Sequence, residues 1–355
     1  MTRSSSRLGF CCTFIPDMPP GGYPTRKAER EAVQAMNLTS TTMTFLGGLA
    51  PAARRAKLDT IARHNLAALG RQIDWVAQRR PMERLLRIAS SLLPGFTHPV
   101  AMDIYAEPGL RRLIENGLAQ LGERARAAGI RLSMHPGQFC IIASRNPSAQ
   151  ANGIAELEYH AEAMSMLGYG SGWHPHGAHI NIHVGGREPG IEGFRDGLKL
   201  ISQTARNLLT AENDEICHGL DAVLQLADAV PVVLDLHHHW VESGGDYIEP
   251  DDPRIARIRE SWRGTRPLSH ISVSREDLLD GHDPTVPPDF AALTKAGHSR
   301  RDLAAHSHLM WNAGINALVA RHLAWTDFEI EAKGKNLAST ALAEWISSSS
   351  VGAAA

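Results

Sequence analysis

The sequence predicts an α/β protein built as a single (β/α)8 TIM barrel, and three observations carry that prediction. Eight short apolar or β-branched runs are separated by segments with helical spacing, the alternation expected of a parallel sheet. A length of 355 residues is common for one such barrel. Carboxylates and imidazoles follow run after run at its C-terminal end, where barrels of this class carry their sites. The expected domain is 7–347, with 1–6 a flexible arm and 348–355 a disordered tail.

The elements follow in order. Arg7-Leu8-Gly9-Phe10-Cys11-Cys12 is the first expected strand, and a Pro/Gly-rich loop from Pro16 to Pro24 follows. Leu58, Ile61, Leu66, Leu69, Ile73 and Val76 recur at helical spacing, which predicts an amphipathic helix over 56–78. Leu85-Leu86-Arg87-Ile88-Ala89 is the second strand, running into a loop that contains His98. A helix over 108–128 should end at Gly129 as its C-cap.

Ile130-Arg131-Leu132-Ser133-Met134 is the third strand, closing on His135-Pro136-Gly137-Gln138. A helix over 154–167 precedes the fourth strand, His179-Ile180-Asn181-Ile182-His183-Val184, which Gly185-Gly186 stops. A helix over 191–206 leads to the fifth, Leu208-Leu209-Thr210-Ala211-Glu212, and one over 219–228 to the sixth. After a short helix around 254–262 comes Leu268-Ser269-His270-Ile271-Ser272-Val273. Helices through 302–323 then precede the eighth strand, Phe328-Glu329-Ile330-Glu331-Ala332, and a C-terminal helix.

Composition limits the function classes. A formal net charge of −2 and a sequence pI near 6.8 give no global basic signal for nucleic acid. Four cysteines, Cys11, Cys12, Cys140 and Cys217, lack CxxC spacing and are too sparse for a disulfide scaffold. With no apolar leader core and no run long enough to span a bilayer, the expectation is an unexported, cytoplasmic protein with no membrane partner.

The most informative stretch is Pro231-Val232-Val233-Leu234-Asp235-Leu236-His237-His238-His239-Trp240. It begins as a strand buried on both faces and ends in a carboxylate and three imidazoles. Buried groups of that kind need partners, because unpaired charge in an apolar interior costs several kcal/mol. A divalent ion satisfies carboxylate and imidazole together. His135, His183, Glu212, Asp235 with His238, His270 and Glu331 all stand at or just past a strand end, and His306 lies on the connection before the last strand. One ion takes about four to six ligands, so this set predicts two or three ions sharing bridging carboxylates. If the sixth strand continues through the histidines, His237 and His239 point away from His238 and serve as packing or supporting groups. His179 shares a face with His183 and is expected as a core histidine. No GxSxG, P-loop or GxGxxG motif supplies a separate nucleophile or phosphate cradle.

Several of these motifs, taken in order, resemble one family. Arg131-Leu132-Ser133-Met134-His135-Pro136-Gly137-Gln138-Phe139, Ile182-His183-Val184-Gly185-Gly186, Glu212-Asn213-Asp214, Leu234-Asp235-Leu236-His237-His238 and Ile330-Glu331-Ala332-Lys333 are similar to the UV damage endonucleases (UvdE/UvsE). These are metal-dependent TIM-barrel DNA repair enzymes related in architecture to endonuclease IV, and the motifs span roughly 7–335. The resemblance implies metal ligands at His135, His183, Glu212, Asp235, His238, His270, His306 and Glu331, holding up to three ions. Manganese is usual in the family; carboxylates and imidazoles without thiolate suit Mn2+ and Zn2+ alike, and Fe2+ is a further candidate. Gln138 matches a residue that probes the DNA at the lesion.

The chain also departs from the family. Phe10 and Phe14 stand where a Tyr and an Asn are usual, Phe139 where Tyr is frequent, Leu268 where a modified metal-bridging Lys is found, and His308 where an Asp is usual. These changes bear on lesion preference and on the third ion.

The predicted chemistry is phosphodiester hydrolysis beside a UV or other helix-distorting lesion, with damaged double-stranded DNA as the partner and no obligate protein partner. Glu212, Asp235 and Glu331 are the expected catalytic carboxylates. Glu215, Asp214 and Asn213 are expected to orient ligands, although Glu215 also fits a solvated loop. Phe10, Phe14, Phe139 and Trp240 are candidates to stack on extruded bases or simply to pack the barrel mouth. His98 is a candidate substrate or metal contact, and Arg145, Arg187, Arg275, Lys333 and Lys335 are candidate phosphate contacts. The competing expectation is a small-molecule isomerase or iron-dependent oxidative enzyme on the same barrel, with a non-catalytic metal-binding protein third.

Overall fold

In the computed structural model, residues 6–16 and 27–352 are described, the side chains of 350–352 excepted. Most of the expected arm, much of the Pro/Gly-rich loop and the last residues of the expected tail lie outside them. Ser6, assigned to the arm, donates a hydrogen bond to Leu323 O. The final helix, Lys335–Gly352, carries 348–352 beyond the expected domain end as continuous helix.

Eight parallel strands close a barrel in chain order. They are β1 (Leu8–Cys11), β2 (Leu85–Ile88), β3 (Arg131–Met134), β4 (His179–His183), β5 (Leu209–Glu212), β6 (Val232–Asp235), β7 (Leu268–Ile271) and β8 (Asp327–Ile330). The (β/α)8 expectation therefore holds, with every strand but β6 within two residues of its expected bounds at either end.

The surrounding helices match the apolar periodicities with local differences. The helix expected at 56–78 runs Pro51–Ala77, started early by Pro51 in its first turn. The helix Pro108–Ala127 is followed by Gly129 at φ +67°, the left-handed residue its C-cap requires. The segment expected as one helix over 191–206 is two, Gly190–Leu198 and Gln203–Leu208. Ser202 starts the second by accepting a hydrogen bond from Ala205 N. An additional helix, Lys27–Met36, lies in a stretch too polar to announce itself.

One correction bears on the site. β6 ends at Asp235, and Leu236–Ser243 is a helix rather than a continued strand. The Asp235 carboxylate accepts from His238 N at 2.7 Å, so this residue both ends the strand and N-caps the helix. His237, His238 and His239 therefore fan out around a helical turn instead of alternating across a sheet.

Alternation along the strands divides core from interior. Phe10, Leu86, Ile88, Leu132, Met134, Ile180, Ile182, Leu234 and Phe328 are buried in the apolar core between barrel and helices. Each fully buried large side chain there is worth about 1.5–3 kcal/mol. The barrel interior is instead largely polar, where such barrels ordinarily stack branched aliphatics. At its base Asp327 accepts from Arg131 at 3.0 Å and Arg266 at 2.6 Å, and lies 3.4 Å from Arg7. One layer higher, Glu329 accepts from Ser133 Oγ and lies 3.3 Å from Arg87 Nε. Buried charges persist only when paired in this way. Gly9 keeps this interior closed, because a Cβ there would lie 2.2 Å from a Leu85 methyl carbon.

Candidate metal centre

The mouth of the barrel gathers all eight residues expected as metal ligands into four overlapping groups. They are His135, His183 and Glu212; Glu212, Asp235 and His238; Asp235, His270 and Glu331; and His238, His306 and Glu331. Within each group the candidate ligand atoms lie within 4.8 Å of one another. The groups share Glu212, Asp235, His238 and Glu331, so the arrangement is one continuous cluster rather than separate sites.

Glu212, at the end of β5, is central. Its Oε2 lies 3.1 Å from His135 Nε2 and 3.8 Å from His183 Nε2, and its Oε1 lies 2.8 Å from His270 Nδ1. Asn181, one strand over and facing the same interior, donates to Oε2. His270 Nδ1 is also 3.4 Å from Glu331, which Arg87 grips from behind.

The imidazoles are oriented through their other nitrogens. His135 Nδ1 faces Pro136 O at 2.9 Å, and His306 Nδ1 faces Glu331 O at 2.6 Å. His238 Nδ1 faces Asn213 O at 3.1 Å and lies 3.7 Å from Glu212 and 3.8 Å from Asp235, while its Nε2 lies 3.6 Å from Glu215. Anchoring one ring nitrogen to an acceptor leaves the other free to bind an ion, the arrangement metal-binding histidines require.

Electrostatics agree with the geometry. Burial pushes the Glu212 carboxyl up, but His270, His183 and hydrogen bonds from His135 and His270 outweigh it and hold the group well below its ordinary range. Burial likewise opposes ionisation of Glu331, and Arg87 and His270 reverse it. Asp235 goes the other way: burial, with Glu212 and Glu331 nearby, raises it despite His238 and His270. His238 is pushed down by burial yet raised to about 9 by Asp235, Glu212, Glu215 and Glu331. His183 is lowered by burial, with His135 and His238 adding to the effect against Glu212.

The residues present fit divalent ions. Asp235 Oδ2 and His183 Nδ1 are buried and make no hydrogen bond within the protein. Such orphaned groups are costly unless something binds them. Three carboxylates and five imidazoles, with no thiolate among the groups, form the donor set that Mn2+, Zn2+ or Fe2+ accept.

The other expected site residues divide. Gln138 and Phe139 are on the exposed loop after β3, next to His135, with Phe139 83% exposed. Phe10 is not at the mouth: it is 2% exposed and packs edge-on against Trp75 on the outer side of the barrel. Phe14 packs on the same Trp75 ring at 5.2 Å, and Trp240 is buried against Tyr247 and Phe290. Phe10 and Trp240 are thus packed inside the protein, whereas Phe14 is half-buried. His98 is exposed and belongs to none of the ligand groups; its Nδ1 accepts from Val100 N. Arg145, Arg187 and Arg275 engage Glu188, Ile216 O and Asp277 respectively.

Among the supporting residues, Asn213 clips β5 to β6 through paired hydrogen bonds to the Asp235 backbone, and Asp214 caps the loop at Ile216, Cys217 and His218. His237 packs against Trp240 and His306, and His239 bonds Asp246. His179 is a fully buried interior histidine beside Trp262, its Nδ1 facing Gly177 O. Sequence reading missed Arg87, Ser133, Asn181 and Glu329. Three of them stand two residues before a predicted ligand, so strand alternation alone places them on the same face.

Fold and mouth together define a (β/α)8 barrel with a carboxylate–imidazole centre at the C-terminal ends of its strands. The family model described as UV-endonuclease UvdE matches residues 23–351, and the chain belongs to that family. It is 30% identical over 250 residues to a UV DNA damage endonuclease of Bacillus cereus (strain B4264), covering 66% of this chain and 73% of the relative. A UV DNA damage endonuclease of Bacillus anthracis (strain A0248) is 30% identical over 242 residues, covering 66% and 71%. The crystal structure of SacUVDE superposes with a TM-score of 0.68 at 19% identity, covering 94% of this chain and 95% of that one, a likeness of fold. Among the described residues, no helix is long and apolar enough to cross a membrane.

Proposed function

We propose that this chain is a metal-dependent DNA repair endonuclease that hydrolyses a phosphodiester bond beside a UV or other helix-distorting lesion in double-stranded DNA. The observation that carries the reading is the convergence of His135, His183, Glu212, Asp235, His238, His270, His306 and Glu331 on one barrel mouth. Family membership points to the same activity.

The cluster suits two or three divalent ions, with Mn2+ as the first candidate and Zn2+ or Fe2+ as alternatives. When bound, such ions supply a water acidic enough to ionise near neutral pH and positive charge beside the phosphate. Glu212, Asp235 and Glu331 are the carboxylates that would hold such ions, and Arg87 braces Glu331. The backbone oxygens of Pro136, Asn213 and Glu331 keep His135, His238 and His306 aimed inward. Gln138 and Phe139 contact the DNA on the rim, where the exposed Phe139 ring offers a stacking face. The four cysteines are free thiols, in keeping with a reducing, cytoplasmic setting.

The test is product analysis with Mn2+-loaded protein on irradiated duplex. Hydrolysis leaves a hydroxyl on one end of the nick and a phosphate on the other. Ends carrying an unsaturated sugar fragment would contradict hydrolysis. Absence of any nick, with ion loading verified, would favour the small-molecule isomerase or oxidative reading.

A further inference from the structure

Directly beneath the metal cluster sits a carboxylate that belongs to none of its four groups. Glu329 is two residues before Glu331 on β8, so it faces the same interior one layer deeper, and it is 1% exposed. Its Oε1 accepts from Ser133 Oγ; its Oε2 lies 3.2 Å from His270 Nε2 and 3.3 Å from Arg87 Nε. His270 is fully buried, and its opposite nitrogen, Nδ1, is the atom 2.8 Å from Glu212 and 3.4 Å from Glu331. The imidazole therefore lies between the cluster above and Glu329 below, its Nε2 facing Glu329 Oε2 as a close ion-pair contact outside hydrogen-bond alignment. Strand register supports this: His270 and Glu329 are direct partners on β7 and β8.

Building on the metal reading above, we propose that Glu329 is the positioning residue of the centre, holding the His270 Nε2 proton so that Nδ1 presents its lone pair to an ion shared with Asp235 and Glu331. Ser133 and Arg87 keep Glu329 in place. Arg87 reaches both layers, because its guanidinium contacts Glu331 as well as Glu329. A carboxylate behind a metal-binding imidazole fixes the ring's tautomer and angle and raises its basicity as a ligand. A buried ion pair serving stability alone would have no reason to aim its histidine at three further carboxylates.

The experiment compares wild type with Glu329→Gln in Mn2+ titrations of metal-stripped protein, with thermal melting of the metal-free proteins as the fold control. Loss of such a partner typically weakens metal binding by about 10–100-fold, and that loss is expected at one ion site. In histidine-labelled protein the change that Zn2+ loading produces at His270 Nδ1 should also be reduced in the variant, a signature that a purely structural role would not move. Ser133→Ala, which frees one Glu329 oxygen without removing charge, should weaken binding in the same direction by less, and it carries the test if Glu329→Gln fails to fold. Folded variants that bind Mn2+ as wild type does would overturn the role of Glu329 alone. Wild-type protein that binds no Mn2+ would overturn the metal reading and this proposal together.

Discussion

His270 Nδ1 lies 2.8 Å from Glu212 Oε1, a contact that joins β7 to β5 across the mouth of the barrel. β6 stands between them in the sheet, so the two side chains meet by reaching across the interior of the barrel. His135 takes the other oxygen of the same carboxylate, 3.1 Å away. One oxygen of this carboxylate faces His135 and the other His270, and the same residue belongs to two of the four ligand groups.

Glu212→Gln should therefore lower incision by about a hundredfold or more with the barrel intact, because removing a bridging charge removes several kcal/mol of barrier lowering. Asp235→Asn tests the neighbouring bridge, but it also alters an N-cap, which costs about 1 kcal/mol or less for so conservative a change. Single-turnover incision rates with circular dichroism as the fold control decide the matter. Retention of more than about a tenth of wild-type activity would count against a bridging role.

Protein purified without chelator should carry at least two divalent ions per chain, since four ligand groups overlap at shared carboxylates and His238. Elemental analysis measures this directly, and a single ion or none would be incompatible with the shared-carboxylate arrangement.

His238 predicts opposite pH responses with and without metal. Its imidazolium is raised from an ordinary 6.5 to about 9, burial being outweighed by Asp235, Glu212, Glu215 and Glu331. A raised value means that the charged form stabilises the metal-free fold. That contribution is complete below pH 6.5 and is lost as pH rises through about 9. Ion binding needs the neutral ring and gains over the same window. Between these limits the melting temperature of metal-free protein should fall while Mn2+ affinity rises. Parallel trends would mean that His238 is not in the ion-binding set.

Phe139 and Phe10 should separate recognition from stability. With 83% of its surface exposed, Phe139 is expected to contribute about 1–3 kcal/mol of stacking to damaged DNA, so Phe139→Ala should weaken binding without altering the melt. Phe10→Ala should instead destabilise the fold by about 3–5 kcal/mol, because it empties a core position against Trp75. Stacking tolerates any base, so abasic sites and several distorting lesions should be incised at rates within about an order of magnitude of each other. This tolerance rests chiefly on Phe139, the most exposed of the aromatic candidates. Preference for one photoproduct by more than about a hundredfold would contradict it.

Much of the centre was legible because barrel strands are short, apolar and abruptly terminated. His135, His183, Glu212, Asp235, His270 and Glu331 each end such a run, and the fold carries them to one place. His306 was found through family resemblance and its place on a long connection. The turn after Asp235 was misread because three consecutive histidines have no periodicity, and because the N-cap role of Asp235 depends on a contact with His238 N. Phe10 was misplaced although its parity was informative: Cys11 contacts Arg87 in the interior, so its neighbour must face outward. The polar interior is hidden in the sequence because its charged residues sit inside short apolar strands. Glu329, Ser133 and Asn181 stand in register with predicted ligands, but a Glu inside a strand has no meaning until Arg87 and His270 are seen around it.

Metal-dependent incision of damaged DNA is tested most directly by one titration. Metal-stripped protein is mixed with matched irradiated and undamaged duplexes, and nicking is followed as Mn2+ is added. The expected result is no nicking before metal, then incision of the irradiated duplex that rises with ion loading while the undamaged duplex stays intact. Equal nicking of both duplexes, or none with full loading verified, would contradict the account.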